Sequence, residues 1–383
     1  MTRRAGTIES RGPDTFRIRV FVGLDHETGK RRYVSKTVHG GKRRAEAELR
    51  KLLDQKHRGT LAAPCKMTVS QYLKKWLNDL VNPSLKPSTL SFYEAMIIKY
   101  IVPHLGGYRL DRLTAFQVQV TVTALADQGL SSRTIRGAVG TLRTAIKTGV
   151  RLGMLSHDAT LNVELPRHQK AREISILNKD EVTSFISACR GERLGPYFIV
   201  ALATAARPGE IAALRWRDVD FENCTVSINR SMTRVDGKVV FHAPKTHTSN
   251  RTLALSKSVV IILKRHRRRQ LEEKLKTGEK WQDHNLVFTD LKGKPLNLPN
   301  IRRRDLQKIT KKAGIEKKLT LYSLRHTSAS LLIANGVDPK TASEVMGHSD
   351  VALVLSVYTH PEQESKRYAA SVLEDLVFCN VQG

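Results

Sequence analysis

Residues 206–216 have the sequence ARPGEIAALRW. Proline is favoured at the first position of a helix, so Pro208 predicts a helix that begins directly after Arg207. Glu210 lies three residues beyond Arg207, which is close enough to orient its guanidinium. An arginine held in this way suits an anionic partner, because its planar fork donates two parallel hydrogen bonds and it does not lose its charge.

Four more reactive side chains follow in the C-terminal half of the sequence. Lys245 lies in PKT at 244–246, Arg325 in LYSLRHT at 321–327, His348 in MGH at 346–348 and Tyr358 in YTH at 358–360. A phosphodiester under attack passes through a five-coordinate phosphorus with added negative charge, and fixed cations lower that barrier. We therefore expect Arg207 and Arg325, which lie in separate elements, to hold one phosphate.

Covalent catalysis on DNA follows from the other three side chains. The Tyr358 phenol is the expected nucleophile, because a phosphotyrosine linkage conserves the bond energy and allows the strand to be rejoined without ATP. Lys245, in a predicted hairpin loop, is the expected general acid for the departing 5′ oxygen. His348 is expected to contact the phosphate or to move the Tyr358 proton. We expect Glu210 to orient an arginine.

Composition indicates a folded protein that binds nucleic acid. The 383 residues carry a net charge of +29 with 40% hydrophobic residues, and this length favours two or three domains. The sequence has no apolar run of 18 residues and no signal peptide, so we expect a cytoplasmic protein with no membrane partner. Its four cysteines form no C-x-x-C pair and no acidic cluster stands beside the reactive residues, so we expect no metal and no cofactor.

Pattern along the chain predicts a mainly α protein with small β-sheets, in three parts. Residues 1–60 alternate apolar and polar positions at 16–22 and 32–38, which predicts a hairpin or small sheet, and a helix follows at about 42–57. This part holds 16 Lys and Arg against 7 Asp and Glu, a net charge of +9. A small DNA-binding module and a basic face that only aids solubility both fit that charge.

The other two parts are predicted at 67–165 and 173–383. The middle part has helical patterns at about 69–80, 88–102, 114–128 and 131–152 with short loops, which predicts a helical bundle. The last part is predicted to alternate helices with strands near 224–230, 238–243 and 251–255, with a turn at Asp236-Gly237, and to be helical from about 298 to 377. The arginines proposed to contact DNA are Arg17, Arg19, Arg31, Arg32, Arg133 and Arg136.

The reactive set, in this order and local sequence, resembles the tyrosine recombinases and in particular the phage-type integrases. The resemblance implies an arm-binding domain with a three-stranded sheet at 1–60, a SAM-like core-binding domain at 67–165 and a mixed α+β catalytic domain at 173–383. It implies a site-specific recombinase that works as a homo-tetramer on core and arm attachment sites in duplex DNA, in the cytoplasm of a bacterial host at its nucleoid. An excisionase, a DNA-bending host factor and the excision reaction itself are left open.

The sequence departs from the family pattern at one position. Tyr322 stands where many members have a histidine, and a phenol is a poor base at neutral pH, so either His348 or water takes the Tyr358 proton. Tyr322 then only donates a hydrogen bond to the phosphate. His326 follows Arg325 about 100° round the predicted helix, which favours a structural role.

Alternatives remain for the C-terminal segment and for the function. Residues 361–378 predict an amphipathic helix that docks either in trans on a neighbouring subunit, which we favour, or in cis on its own domain. A type IB topoisomerase-like enzyme would share the active-site chemistry, but a separate basic N-terminal module favours bridging of distinct DNA sites. A catalytically silent DNA-binding protein would not need all five reactive residues.

Overall fold

The computed structural model describes residues 6–24, 29, 31–57, 61, 65–81, 85–167, 175–235, 237–243 and 250–347. The chain divides into two compact units between residues 171 and 172. The first unit contains a small sheet with one helix and then a helical bundle, and the second contains helices with short antiparallel strands. The predicted fold class, mainly α with small sheets, is confirmed.

The N-terminal part is a three-stranded antiparallel sheet followed by one helix. The elements are β1 Gly6–Gly12, β2 Thr15–Leu24, β3 Arg31–His39 and α1 Lys42–His57. Strand β2 lies in the middle, and alternation along it buries Ile18 and Val20, with Ile18 packed in one cluster with Ala45 of α1. Arg17 and Arg19 consequently lie on the opposite face of the sheet. The three-stranded sheet that the family resemblance implied is confirmed, whereas the apolar pattern by itself predicted only β2 and β3.

The helical bundle of the first unit has the predicted helices. They are α2 Val69–Lys75, α3 Pro87–Met96, α4 Val102–Leu105, α5 Ala115–Asp127 and α6 Ser132–Arg151. Wider π-helical turns at Trp76–Val81 and Ile97–Ile101 extend α2 and join α3 to α4. Thr68 and Thr114 form capping boxes with Gln71 and Gln117, which fixes where α2 and α5 begin.

A single apolar core holds this bundle together. Trp76 and Tyr72 are fully buried in it, and the Tyr72 hydroxyl donates to the carbonyl of Ala145 in α6 at 2.6 Å. Burial of a large apolar side chain contributes about 1.5–3 kcal/mol, so such residues dominate the stability of the unit.

The second unit is built around a buried central helix. Its helices are α7 Lys179–Cys189, α8 Gly195–Thr204, α9 Pro208–Ala213, α10 Lys257–Thr277, α11 Leu298–Asn300, α12 Gln307–Lys312, α13 Leu321–Ala334 and α14 Pro339–Met346. A π-helical segment at Ile301–Leu306 joins α11 to α12. Helix α8 is apolar all round, with Tyr197 and Phe198 almost fully buried, and contacts α7, α9, α10 and α13.

Five short strands complete the described part of the second unit. They are β4 Val219–Asp220, β5 Thr225–Ile228, β6 Ser231–Val235, β7 Lys238–His242 and β8 Arg251–Ala254. Strands β4, β5 and β8 form one antiparallel sheet, and β6 pairs with β7 as predicted. Asp236 lies outside the described residues, while Gly237 has the positive φ of 77° that this turn requires.

One topological prediction is wrong. The loop that carries Lys245 was predicted to close a hairpin, but the described strands on its two sides belong to different sheets, because β7 pairs with β6 whereas β8 pairs with β5. The loop therefore connects two sheets. The predicted C-terminal helical region is present up to Met346 as α11 to α14, and its continuation to 377 lies outside the described residues.

Candidate active site

The turn between α8 and α9 positions the first arginine. Ala205 adopts a left-handed conformation, with φ 49° and ψ 18°, and ends α8. Such a conformation costs a residue with a Cβ on the order of 1 kcal/mol, and burial of Ala205 against Ala329, Ala342 and Met346 holds it there. The chain leaves this turn in an extended conformation at Arg207 and enters α9 at Pro208, as predicted.

Glu210 fixes Arg207 through both main chain and side chain. The backbone N–H of Arg207 donates to Glu210 Oε2 at 2.9 Å, and Arg207 Nη1 donates to Glu210 Oε1 at 2.9 Å. Arg207 Nη2 also donates to the carbonyl oxygen of Gly347 at 2.9 Å. The Arg207 side chain is 33% exposed while that of Glu210 is 3% exposed. Glu210 thus has the geometry expected of a group that orients the arginine.

A second guanidinium shares the same carboxylate. Arg251, the first residue of β8, donates from Nη2 to Glu210 Oε2 at 3.0 Å and from Nε to the carbonyl oxygen of Val345 at 2.8 Å. Burial alone would raise the pKa of the Glu210 carboxyl. The charge of Arg251 and the hydrogen bonds from Arg207 and Arg251 outweigh it, so the pKa lies below its ordinary value and the carboxylate stays ionised.

Arg325 enters the same neighbourhood from α13. The residue is 3% exposed, and its Nη1 donates to the carbonyl oxygen of Ala205 at 2.8 Å, two residues before Arg207. Helix α13 is held in place by polar contacts that flank Arg325. The Thr327 hydroxyl accepts from the backbone N–H of Leu177, and the Ser328 hydroxyl donates to the carbonyl of Leu202. The structure therefore brings the two predicted arginines to one turn of backbone.

Tyr322 and His326 flank Arg325 on α13 in different surroundings. Tyr322 is 53% exposed, so its hydroxyl is accessible to a bound molecule. His326 is half-buried, and burial together with the neighbouring charge of Arg325 lowers its pKa. A neutral His326 at neutral pH agrees with the predicted structural role and makes it a poor candidate for a cationic phosphate ligand.

Helix α14 leads to the third part of the predicted site. Asp338 caps its first turn, and Gly347 ends it in the left-handed region with φ 66°. His348 follows Gly347 directly. His348, Lys245 and Tyr358 lie outside the described residues, so their predicted roles are expectations from the sequence.

The described side chains form a positively charged site. Glu210 pairs with Arg207 and Arg251, and Arg325 lies at the neighbouring turn of Ala205, which leaves a net charge of +2 among these four groups. Preorganised guanidinium groups stabilise an anion without paying to reorganise when charge develops. The arrangement is thus suited to hold a phosphate diester and its more negatively charged transition state.

The sequence did not single out Arg251 as a site residue. It lies 41 residues from Glu210 and 94 from Val345, so no local periodicity connects the three. The available signal was its place in the chain, six residues after Lys245 and at the start of a strand. A buried position for a charged residue at a strand start became evident only from the tertiary structure.

The arginines proposed for DNA contact divide into two groups. Arg17 and Arg19 share one face of the N-terminal sheet, and Arg31 and Arg32 lie exposed on its third strand. The Arg19 guanidinium lies 4.5 Å from the Tyr33 ring centroid, a cation–π contact that orients it.

In the bundle only one of the predicted arginines is exposed. Arg133 faces solvent on α6, whereas Arg136 Nε donates to the carbonyl of Pro166 at 3.0 Å. Arg143, on the same helix, donates to the hydroxyl and the carbonyl of Thr160. Arg136 and Arg143 thus contact the segment that follows the bundle, and contact of Arg133 and Arg136 with DNA stays a prediction.

Within the part of the chain that the structure describes, no group of three His, Cys, Asp or Glu side chains is arranged to hold a metal ion. The same residues include no helix long and apolar enough to cross a membrane.

Comparison with known proteins identifies the family. The model of the phage integrase family matches residues 175–365, and that of the phage integrase N-terminal SAM-like domain matches residues 68–126. The tyrosine recombinase XerC-like protein of Caldanaerobacter subterraneus subsp. tengcongensis is 30% identical over 384 residues, covering 95% of this chain and 97% of the relative. The chain belongs to the phage integrase family. Its enzyme class is that of the site-specific tyrosine recombinases.

Other integrases match the chain over a similar share of its length. The integrase of Streptomyces ambofaciens is 29% identical, over 88% of this chain and 87% of its own length. The integrase of Staphylococcus phage L54a is 26% identical, over 88% of this chain and 99% of its own length.

Solved structures show the same fold. Tn1549 transposon integrase in complex with a circular intermediate DNA covers 80% of this chain and 100% of its own, with a TM-score of 0.67 and 21% identity. A lambda integrase dimer bound to a core site covers 93% of this chain and 95% of its own, with a TM-score of 0.56 and 17% identity.

Proposed function

We propose that this chain is an integrase that cleaves and rejoins DNA strands at attachment sites through a covalent 3′-phosphotyrosyl intermediate on Tyr358. The observation that carries the proposal is the convergence of Arg207 and Arg325 on the turn at Ala205, with Glu210 fixing Arg207. Two arginines from separate elements in one neighbourhood are what a pentavalent phosphate transition state requires. Membership of the phage integrase family supports the same chemistry.

The steps of the reaction assign one task to each side chain. The Tyr358 oxygen attacks the phosphorus, its P–O bond forms as the bond to the 5′ oxygen breaks, and Lys245 gives that oxygen a proton. Arg207 and Arg325 hold the non-bridging oxygens, and His348 contacts the phosphate. Tyr322, half exposed beside Arg325, donates a further hydrogen bond, and His348 or water takes the Tyr358 proton. Rejoining is the same sequence reversed with a new 5′ hydroxyl.

We propose three functional parts and a tetrameric assembly. Residues 1–60 bind arm-type sites, 67–165 bind core-type sites and 173–383 catalyse strand transfer. A homo-tetramer on two duplexes fits the fold, which is shared with a lambda integrase tetramer bound to a Holliday junction at a TM-score of 0.53. The reaction belongs to the cytoplasm of a bacterial host, at the nucleoid, since the relatives come from bacteria and a phage of bacteria.

For the C-terminal helix at 361–378 we propose docking in trans on a neighbouring catalytic domain. The described part of that domain carries an apolar groove of about 540 Å³, lined among others by Ile186 of α7, Ile262 of α10 and Leu331 of α13. Its apolar lining matches the apolar stripe expected for the helix, so contact would bury both surfaces.

The test of the function is covalent capture of DNA. Tyr358→Phe removes the nucleophilic oxygen, so the variant should bind a nicked suicide duplex of the element's junction as tightly as the unsubstituted protein but form no adduct in a denaturing gel. Tyr322→Phe is the comparison, and we expect it to retain adduct formation at a reduced rate. An adduct with Tyr358→Phe, or relaxation of plasmids that lack any junction, would contradict the proposal.

A further inference from the structure

Glu210 of α9 pairs with two arginines, and both arginines also contact the C-terminal end of α14. Arg207 reaches from Glu210 Oε1 to the carbonyl of Gly347, and Arg251 reaches from Glu210 Oε2 to the carbonyl of Val345. Carbonyls at a helix C-terminus carry partial negative charge, so cations stabilise them there. The two arginines and the carboxylate therefore form a bridge between α9 and the end of α14, which we term the Glu210 bridge.

Arg251 and Gly347 are packed against each other. A Cβ on Gly347 would lie 2.7 Å from Arg251 Nη1, closer than such atoms approach in folded proteins, and 3.0 Å from its Cζ. The Arg251 side chain is 8% exposed, so solvent does not weaken its contacts with Glu210. The position of Arg251 thus sets the path of the backbone at Gly347.

Three segments of the predicted active site start from this bridge. Arg207 is itself a member, Gly347 directly precedes His348, and Arg251 begins β8 six residues after Lys245. Strand β8 is in turn fixed, because Arg251 to Ala254 pair in register with Ile228 to Thr225 of β5. A shift of Arg251 would move the end of α14 and the guanidinium of Arg207 together.

We propose that Arg251 is a positioning residue for DNA strand cleavage, which acts through Glu210, Arg207 and the backbone at Gly347 without touching the phosphate. This inference rests on the proposed function and adds a residue to its machinery. Arginine is required because its fork donates from Nη2 to Glu210 and from Nε to the carbonyl of Val345 at the same time, whereas the single ammonium of lysine supplies one point of contact.

The experiment compares Arg251→Gln and Arg251→Lys with the unsubstituted chain on the nicked suicide duplex. Duplex affinity, the single-turnover rate of adduct formation and thermal stability are measured for each. We expect affinity within about threefold, since the side chain is buried, and a cleavage rate lower by on the order of 30–100-fold for Arg251→Gln, as misplacement of about 1 Å can cost that much. Arg251→Lys should recover most of the stability but less than a tenth of the lost rate.

The chain offers a matched control in Arg193. It pairs with Glu273 through two hydrogen bonds and donates to the carbonyls of Thr289 and Asp290, the same combination of contacts away from the site. Arg193→Gln should lower stability but leave the cleavage rate of the folded protein within about twofold. A double variant tests whether Arg251 and Arg207 are coupled. Arg251→Gln should reduce the cleavage rate of the Arg207→Lys protein by much less than it reduces the rate of the unsubstituted chain, because both arginines act through the Glu210 bridge.

The outcomes separate this inference from the proposed function. Equal cleavage rates for Arg251→Gln and the unsubstituted chain, full recovery of rate by Arg251→Lys, or additive effects with Arg207→Lys would each overturn the positioning role alone. No adduct from the unsubstituted chain would overturn the proposed function and this inference together.

Discussion

At the scale of single residues, Glu210 connects two of the arginines at the site. Its two oxygens accept three hydrogen bonds, from the backbone and side chain of Arg207 and from Arg251. A buried carboxylate is costly unless it is paired, and the two guanidinium groups offset that cost. Removing the charge of Glu210 would leave both arginines without their shared anion, so the residue is coupled to stability and to catalysis.

A buried histidine predicts how stability changes with pH. His266 packs against Trp216 and Phe288 and donates from Nε2 to the carbonyl of Val287 at 2.8 Å. Burial lowers its pKa from the ordinary 6.5 to about 4. Between these values the unfolded chain binds a proton that the folded chain does not, so stability falls as pH decreases from 6.5 to 4, by about 3 kcal/mol.

The measurement is urea unfolding of the second unit at several pH values, compared between the unsubstituted chain and His266→Phe. Phenylalanine preserves the aromatic packing, and Gln270 continues to donate to the Val287 carbonyl. We expect the stability of the variant to decline by about 3 kcal/mol less than that of the unsubstituted chain between pH 6.5 and 4. An unchanged decline would show that another group is responsible.

At the scale of elements, the ends of short helices determine where the functional side chains lie. Helix α8 ends at the left-handed Ala205, whose carbonyl accepts from Arg325, and α14 ends at the left-handed Gly347, whose carbonyl accepts from Arg207. Each helix end therefore offers a backbone carbonyl to an arginine from another element. The sequence predicted the helices, but the cross-connections depend on their packing.

Gly347→Ala tests the end of α14. Alanine at φ 66° costs about 1 kcal/mol in backbone strain, and its Cβ would also displace Arg251. Gly336 is the matched control, since it has φ 80° just after α13 but open space where a Cβ would lie. We expect Gly347→Ala to lower the free energy of unfolding by about 2 kcal/mol more than Gly336→Ala, measured by urea unfolding. Equal losses would mean that the Arg251 contact is readily relieved.

At the scale of the whole molecule, positive charge is distributed over both units. The net charge of +29 exceeds what the site needs, and the N-terminal 60 residues contribute +9 of it. Counterions released when cations contact phosphates make DNA affinity fall steeply with salt. Each phosphate contact therefore adds to the slope of log K against log salt, whatever the sequence of the attachment site.

Substitution of Arg17 and Arg19 by glutamine in the full chain tests the sheet face as an arm-site surface. Both side chains lie on the face opposite α1, so the slope of log K against log salt for arm DNA should decrease by about 1.8, or 0.9 per contact. Glutamine at Arg43 and Arg50, both exposed on α1, removes the same charge from another surface and should change the slope by less than about 0.5. Similar slopes for the two double variants would exclude a specific role for this face.

The sequence by itself determined most of the helices, and it predicted the reactive residues. The periodicity of apolar residues and the positions of caps and prolines are local signals, so α1, α2, α5, α6 and the start of α9 were predicted closely. The order of Arg207, Lys245, Arg325, His348 and Tyr358 likewise predicts the chemistry, because each type of side chain has a distinct reactivity toward phosphate.

Only the tertiary structure decided which groups share one site and in what geometry. The bridge from Glu210 to Arg251 and Val345 spans residues distant in the chain, and the pairing of β8 with β5 in place of β7 depends on register across two sheets. The hydrogen bonds from Arg136 to the carbonyl of Pro166 and from Arg143 to the carbonyl of Thr160 were also evident only in the folded chain. Contacts of this kind arise from long-range packing and desolvation, which leave no periodic signal in a single sequence.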